Sequence, residues 1–131
     1  MVCAADLALL DASAPRHVTL AAAGRVLIVG DVHGCYDELD ELLQKYRKPG
    51  DTVILAGDIV NKGPKSVEAL RLARSLDQCH SLIGNHELVS LRGRFEREGG
   101  KSPDCAPRYA WTDELSESDV EWICRLPFTI A

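Results

Sequence analysis

The chain has 131 residues, of which 46% are hydrophobic and 27% are charged, and its formal net charge at pH 7 is −5. This size and composition are typical of a single soluble globular domain. An acidic chain without a long run of like charges is not expected to form an extended nucleic-acid-binding surface. The sequence also has no apolar run long enough to span a bilayer, so no membrane partner is expected.

The five cysteines are odd in number and irregular in spacing, with no C-x-x-C pair. This pattern indicates free thiols in a reducing compartment, and it therefore predicts a cytoplasmic protein. Residues 1–24 show weak patterning, and we expect them to form a poorly ordered leader. The domain is accordingly expected to span residues 25–131.

From residue 25 onward, short apolar segments alternate with segments of helical periodicity. The first strand, RVLIVG, is rich in β-branched residues and is expected to be buried on both faces. The segment after it ends at Pro49-Gly50, and the next helix opens with Pro64. Strands are predicted over 25–30, 51–57 and 79–84, and helices over 35–50, 64–76 and 86–99.

Beyond Gly99-Gly100 the alternation stops. Residues 101–107 are predicted to form a loop, and Ser116 and Asp119 resemble a capping box at the start of another helix. The last residues, PFTIA, are predicted to begin a further strand. The predicted fold class is α/β, with a parallel βαβαβα core.

The strand ends carry the residues with the clearest chemistry. In a parallel sheet, the loops that follow the strands gather at one edge, where ligands usually bind. Two carboxylates, two imidazoles and an amide oxygen are therefore predicted to converge, and such a mixed oxygen and nitrogen set suits divalent metal ions. The residues are Asp31, His33, Asp58, Asn85 and His86.

Three motifs in chain order, GDVHG (30–34), GDIVNKG (57–63) and GNHE (84–87), resemble signatures of the calcineurin-like metallophosphoesterases of the phosphoprotein-phosphatase superfamily. The resemblance covers about residues 25–127 and implies the N-terminal half of an α/β/β/α sandwich. It also implies two divalent metal ions, which could be Mn, Fe, Zn, Mg or Co.

The resemblance implies a role for each matching residue. Asp31 and His33 would bind the first metal, Asp58 would bridge both metals, and Asn85 would bind the second. A hydroxide held between the metals would attack phosphorus, and His86 would protonate the leaving oxygen. The implied partner is a phosphorylated small molecule or nucleotide.

The second motif departs from the pattern of the protein serine/threonine phosphatases. Asn61 stands where they have the aspartate that orients the catalytic histidine, and Lys62 replaces a phosphate-contacting arginine. Glu87 matches the family motif without being a usual ligand, and it is interpreted as supporting the ligands. GDIVNKGP resembles the ApaH-like, diadenosine tetraphosphatase-like branch, which implies hydrolysis of phosphoanhydrides in nucleotides or polyphosphates.

Two alternatives remain open from the sequence. One is a serine/threonine protein phosphatase. The other is a non-catalytic remnant that binds a metal or a partner, because the family supplies two more histidines to the second metal and the last histidine here is His86. The chain is therefore expected to be the N-terminal part of a longer enzyme, whose oligomeric state the sequence does not indicate.

Overall fold

A computed structural model describes residues 4–100 and 107–131. Most of the predicted loop over 101–107 falls outside the described residues. The strands are β1 (His17–Val18), β2 (Val26–Val29), β3 (Thr52–Leu55), β4 (Cys79–Ser81) and β5 (Thr129–Ile130). The α-helices are α1 (Ala4–Leu7), α2 (Tyr36–Tyr46), α3 (Ser66–Ser75), α4 (Asn85–Glu98) and α5 (Glu117–Cys124), and Pro107–Glu114 forms a 3₁₀ helix.

The main sheet has three parallel strands in the order β2-β3-β4. Ile28 on β2 lies beside Ile54 on β3, which lies beside His80 on β4. Helices α2 and α3 connect consecutive strands, as parallel pairing requires. The predicted parallel α/β architecture is confirmed, and each predicted strand and helix of the core is present. The three strands, α2 and α3 are slightly shorter than predicted, whereas α4 has the predicted length and begins one residue earlier.

The hydrophobic core lies on one face of this sheet. Side chains alternate between the faces of a strand, and Val53 and Leu55 on β3 point to the face that the helices cover. There they pack with Val67 and Leu70 of α3. Ile28 belongs to the opposite row and is 71% exposed. The expectation that the first strand is buried on both faces is therefore wrong, because β2 is an edge strand covered on one face only.

The N-terminal segment, expected to be a poorly ordered leader, makes defined contacts from residue 4 onward. The carboxylate of Asp6 is fully buried and lies 3.0 Å from the guanidinium of Arg92 on α4. Arg16 donates a hydrogen bond to the carbonyl of Leu126 at 2.9 Å. Strand β1 pairs in parallel with β5, so the predicted strand at PFTIA is present and its partner comes from residues 4–24.

No helix in the described part of the chain is long and apolar enough to cross a bilayer.

The predicted capping box at α5 is present. The Ser116 hydroxyl accepts from the Asp119 N–H at 3.2 Å, and the Ser116 N–H donates to the Asp119 carboxylate at 3.0 Å. The same buried carboxylate contacts Arg71 at 2.9 Å and Arg74 at 2.5 Å. Burial alone would raise the pKa of Asp119, but hydrogen bonds from Arg71 and Ser116 outweigh it, and the pKa is lowered.

We expect Asp119→Asn to lower the free energy of unfolding at pH 7 by about 2–3 kcal/mol, because it removes a charged acceptor shared by a helix cap and two guanidinium groups. Since the folded-state pKa is lowered, the stabilising contribution is present above the ordinary carboxyl pKa and is lost as the pH falls below about 4. Urea denaturation of both proteins at a series of pH values measures this difference.

The matched control is Asp113→Asn, which breaks an exposed pair with Arg97 and should therefore lower the free energy of unfolding far less than Asp119→Asn does. Equal losses in the two variants would contradict the role given to Asp119.

Candidate metal and phosphate site

The first two motif loops are joined to each other by backbone hydrogen bonds. The His33 N–H donates to the carbonyl of Asp58 at 2.8 Å, and the Gly34 N–H donates to the carbonyl of Ile59 at 2.7 Å. The Gly63 N–H returns a bond to the carbonyl of His33 at 2.7 Å. The first two loops therefore form one rigid unit at the carboxyl edge of the sheet.

Four non-glycine residues of these loops have left-handed backbone conformations. The φ angles are 48° at His33, 53° at Asp58, 71° at Asn61 and 73° at Lys62. Each such residue costs roughly 1–2 kcal/mol, so the surrounding hydrogen bonds must hold it in place. Strain of this kind clusters at binding and catalytic sites, and here it falls on four of the residues predicted from the motifs.

The structure brings His33, Asp58 and His86 together. One potential ligand atom of each lies within 4.8 Å of the others, and the two imidazole rings meet edge to face with centroids 4.7 Å apart. Asp31 lies at the rim, with its carboxylate 74% exposed and 3.7 Å from Nε2 of His33. Asn85 is exposed at the first position of α4, beside His86 in sequence.

The second and third motifs meet at Asp58 and Gly84. The Asp58 carboxylate accepts a hydrogen bond from the backbone N–H of His86 at 2.9 Å. A Cβ on Gly84 would lie 2.1 Å from the same carboxylate oxygen, so only glycine fits at that position. This close approach explains why a glycine precedes the Asn-His pair.

Glu87 lies beneath this junction and is fully buried. One carboxylate oxygen accepts from the backbone N–H groups of Ile59 at 2.7 Å and Val60 at 3.2 Å. The other accepts from Gly84 at 2.7 Å and Asp58 at 2.9 Å. Burial raises the pKa of Glu87, and the backbone hydrogen bonds oppose that rise. One side chain thus holds the backbone of both loops.

His33 has distinct surroundings at its two ring nitrogens. Nδ1 lies 3.4 Å from the carbonyl of Val60, which can only accept, so the proton belongs on Nδ1. Nε2 then carries the lone pair, and it lies 3.3 Å from the ammonium of Lys62. The imidazole therefore presents an acceptor to a cation.

Asn61 also has a defined orientation. Its Oδ1 accepts the backbone N–H of Lys62 at 3.1 Å, which leaves the amide Nδ2 facing Nδ1 of His86 at 3.2 Å. An amide donor at Nδ1 places the proton of His86 on Nε2. Burial, followed by the charges of Lys62 and His33, lowers the pKa of His86 against the opposing effect of Asp58.

The donor set fits a divalent cation. The His33 imidazole and the Asp58 carboxylate form a mixed set of nitrogen and oxygen ligands, Asp31 adds a second carboxylate at the rim, and the His86 ring lies beside them. The lone pair of His33 faces the ammonium of Lys62, so this nitrogen can serve as a metal ligand once the ammonium moves away from it.

Sequence reasoning expected His86 to converge with the metal ligands while giving it the role of proton donor, and the structure puts its ring beside that of His33. It also did not single out Ser66, whose hydroxyl accepts the N–H of Asn61 at 2.9 Å. A serine two residues after Pro64 was the available signal, because such residues commonly hydrogen-bond to nearby backbone. The edge-to-face geometry of the two rings had no signal in the sequence.

Comparison with known proteins identifies the family. The sequence model of the calcineurin-like phosphoesterase family matches residues 24–129. The symmetrical bis(5'-nucleosyl)-tetraphosphatase of Psychromonas ingrahamii is 41% identical over 97 residues, which are 64% of this chain and 35% of that protein. The chain therefore spans about a third of the length of this curated relative.

Solved structures have the same fold. A crystal structure assigned as a diadenosine tetraphosphatase superposes with a TM-score of 0.68 at 31% identity, over 88% of this chain and 49% of that one. A serine/threonine phosphatase from Saccharomyces cerevisiae gives a TM-score of 0.61 at 21% identity, over 96% of this chain and 41% of that one. At that identity the second likeness shows the fold alone.

We expect Glu87→Gln to lower the free energy of unfolding by more than about 2 kcal/mol. In either orientation the new amide replaces one oxygen by a donor, so two backbone N–H groups lose their acceptor. Urea denaturation measures the loss, and hydrogen exchange at Asp58, Ile59 and Val60 locates it.

Glu98→Gln on the same helix is the control, because Glu98 is exposed and pairs along the helix with Arg94. Unchanged exchange at residues 58–60 in Glu87→Gln would rule out the anchoring role.

Proposed function

Because the chain belongs to the calcineurin-like phosphoesterases, we propose that it is the metal-binding part of a hydrolase that cleaves phosphoanhydride bonds in nucleotide or polyphosphate substrates. The observation that carries the proposal is the convergence of His33, Asp58 and His86 at the sheet edge, within reach of Lys62. The tetraphosphatase relatives support a nucleotide substrate.

The metal-binding roles follow the positions of the donors. We assign Asp31 and His33 to a first divalent ion, Asn85 to a second, and Asp58 to a bridging position. The proximity of the His33 and Asp58 ligand atoms supports this assignment. When bound, such ions supply a nucleophilic water and neutralise charge on the phosphoryl group.

Lys62 and His86 act on the substrate in this proposal. The Lys62 ammonium contacts an oxygen of the phosphoryl group being transferred, for which its exposed position at the site edge is suited. His86 presents its Nε2–H to the leaving oxygen, since the amide of Asn61 faces the other ring nitrogen.

The polarity of the Asn61–His86 contact favours phosphoanhydrides over protein phosphoesters. A carboxylate at position 61 would accept from Nδ1–H and stabilise an imidazolium, whereas the amide donor there does not. A phosphate leaving group departs as a stable anion and needs only a hydrogen bond. A serine alkoxide is far more basic and needs a full proton from an acid.

Hydrolysis assays with diadenosine tetraphosphate and a phosphoserine peptide test the substrate class. We expect hydrolysis of the dinucleotide that requires added divalent metal and stops with a chelator. A preference for the peptide would indicate a protein phosphatase. No hydrolysis of either substrate, with less than one metal bound per chain, would indicate the non-catalytic alternative.

We expect His86→Asn to lower kcat by about 10²- to 10⁴-fold, because the hydrogen bond to the leaving oxygen is lost. His80→Asn is the matched control, since His80 lies within β4 and outside the three motifs, and its replacement should leave kcat unchanged. A similar loss in both variants would argue that stability, not chemistry, is affected.

We expect Asn61→Asp to raise the rate on the phosphoserine peptide relative to the dinucleotide by about tenfold, since a charged acceptor at Nδ1 favours the proton-donating form of His86. Gln78→Glu adds the same charge at an exposed residue before β4 and should not change the ratio. An unchanged ratio in Asn61→Asp would contradict the proposed basis of leaving-group selection.

A further inference from the structure

We propose that Ser66 is a positioning residue of the candidate site, whose buried hydroxyl fixes the loop that carries Asn61 and Lys62. The inference rests on the proposed function, since it acts through residues assigned there. Ser66 is the first residue of α3 and only 5% exposed, so its hydroxyl does not reach a substrate at the outer edge.

The contact that supports this role is a buried hydrogen bond across five residues. The backbone N–H of Asn61 donates to the Ser66 hydroxyl at 2.9 Å. Asn61 and Lys62 are consecutive left-handed residues, an arrangement that few side chains adopt without external support. The hydroxyl provides that support and satisfies an amide that is removed from solvent.

The bond is not ordinary helix capping. Lys65 precedes the helix and makes no side-chain cap, while Ser66 lies inside the first turn. A capping side chain accepts from amides of its own helix, two or three residues further on. The Ser66 hydroxyl accepts instead from Asn61, which lies upstream of the helix, so the bond stabilises the loop and not the end of the helix.

Two active-site contacts depend on the backbone at Asn61. Its side-chain oxygen accepts the N–H of Lys62, and its amide lies 3.2 Å from His86. The next residue, Lys62, places its ammonium 3.3 Å from His33. A shift of the Asn61 backbone would therefore move the groups that face both imidazoles.

Ser66 also packs against the first motif. A Cβ on Gly34 would lie 2.8 Å from the Ser66 hydroxyl oxygen, so this glycine leaves the space that the hydroxyl fills. The N–H of Lys65 donates to the carbonyl of Gly34 at 3.0 Å. The start of α3 is thereby held against the loops of the first and second motifs.

Three variants of the full chain test the inference. Ser66→Ala removes the hydroxyl, and Ser66→Thr retains it. Ser90→Ala is the matched control, because Ser90 is also buried, on α4, and its hydroxyl makes no hydrogen bond in the described part of the chain. NMR on the metal-free proteins measures amide exchange at Asn61 and the ring ¹⁵N shifts of His33 and His86.

In Ser66→Ala we expect Asn61 exchange to accelerate roughly fivefold or more and both sets of ring shifts to change. Ser66→Thr and Ser90→Ala should match the wild type. On diadenosine tetraphosphate, Ser66→Ala should lower kcat/KM about tenfold, with recovery in Ser66→Thr.

Unchanged ring shifts and Asn61 exchange in Ser66→Ala would overturn the inference. If Ser66→Ala does not fold, Ser66→Cys provides the same comparison, because it keeps the volume and weakens the acceptor. If the wild type does not hydrolyse the dinucleotide, the proposed function fails, whereas the NMR comparison still decides the role of Ser66.

Discussion

The buried carboxylate of Glu87 accepts hydrogen bonds from four backbone amides, and the geometry of the candidate site depends on this interaction. Burial of an ionised group is costly unless its hydrogen-bonding capacity is filled, and the four N–H groups fill it. In return, the carboxylate holds the backbone at Asp58 and Gly84. The bridging position proposed for Asp58 therefore depends on a side chain that does not itself reach the metal-binding edge.

A second group of contacts orients the polar side chains. Asn61 is fixed by its own bond to the Lys62 amide, and this decides which of its atoms meets His86. His33 is fixed by the carbonyl of Val60, which leaves its lone pair toward Lys62. The tautomers of both imidazoles thus follow from neighbours in the second motif, so this loop controls the polarity of the site as well as its shape.

Much of the fold could be predicted because its signals are local. The apolar stripe of α3, the capping box at Ser116 and the β-branched segments before each motif are all visible within a few residues of sequence. Parallel pairing then predicts that the strand ends converge. The meeting of His33, Asp58 and His86 agrees with that reasoning.

The remaining features depend on contacts between distant parts of the chain. Isoleucine is a residue type typical of buried strands, and the exposure of Ile28 depends on which layers cover the sheet. Asp6 appears as an isolated acid in a weakly patterned segment, yet Arg92, far along the chain, anchors it. The bond from Asn61 to Ser66 requires a left-handed backbone at a residue other than glycine, which residue type alone does not predict.

The left-handed conformations at Asn61 and Lys62 place two requirements in opposition. Glycine would adopt these backbone angles without steric cost, so a protein selected for stability alone would carry glycine at both positions. Glycine, however, has neither the amide that faces His86 nor the ammonium that faces His33. Substitutions at these two positions are therefore expected to raise the stability of the fold at the expense of the catalytic rate, or the reverse. Selection for thermal stability without selection for activity should favour glycine at both positions.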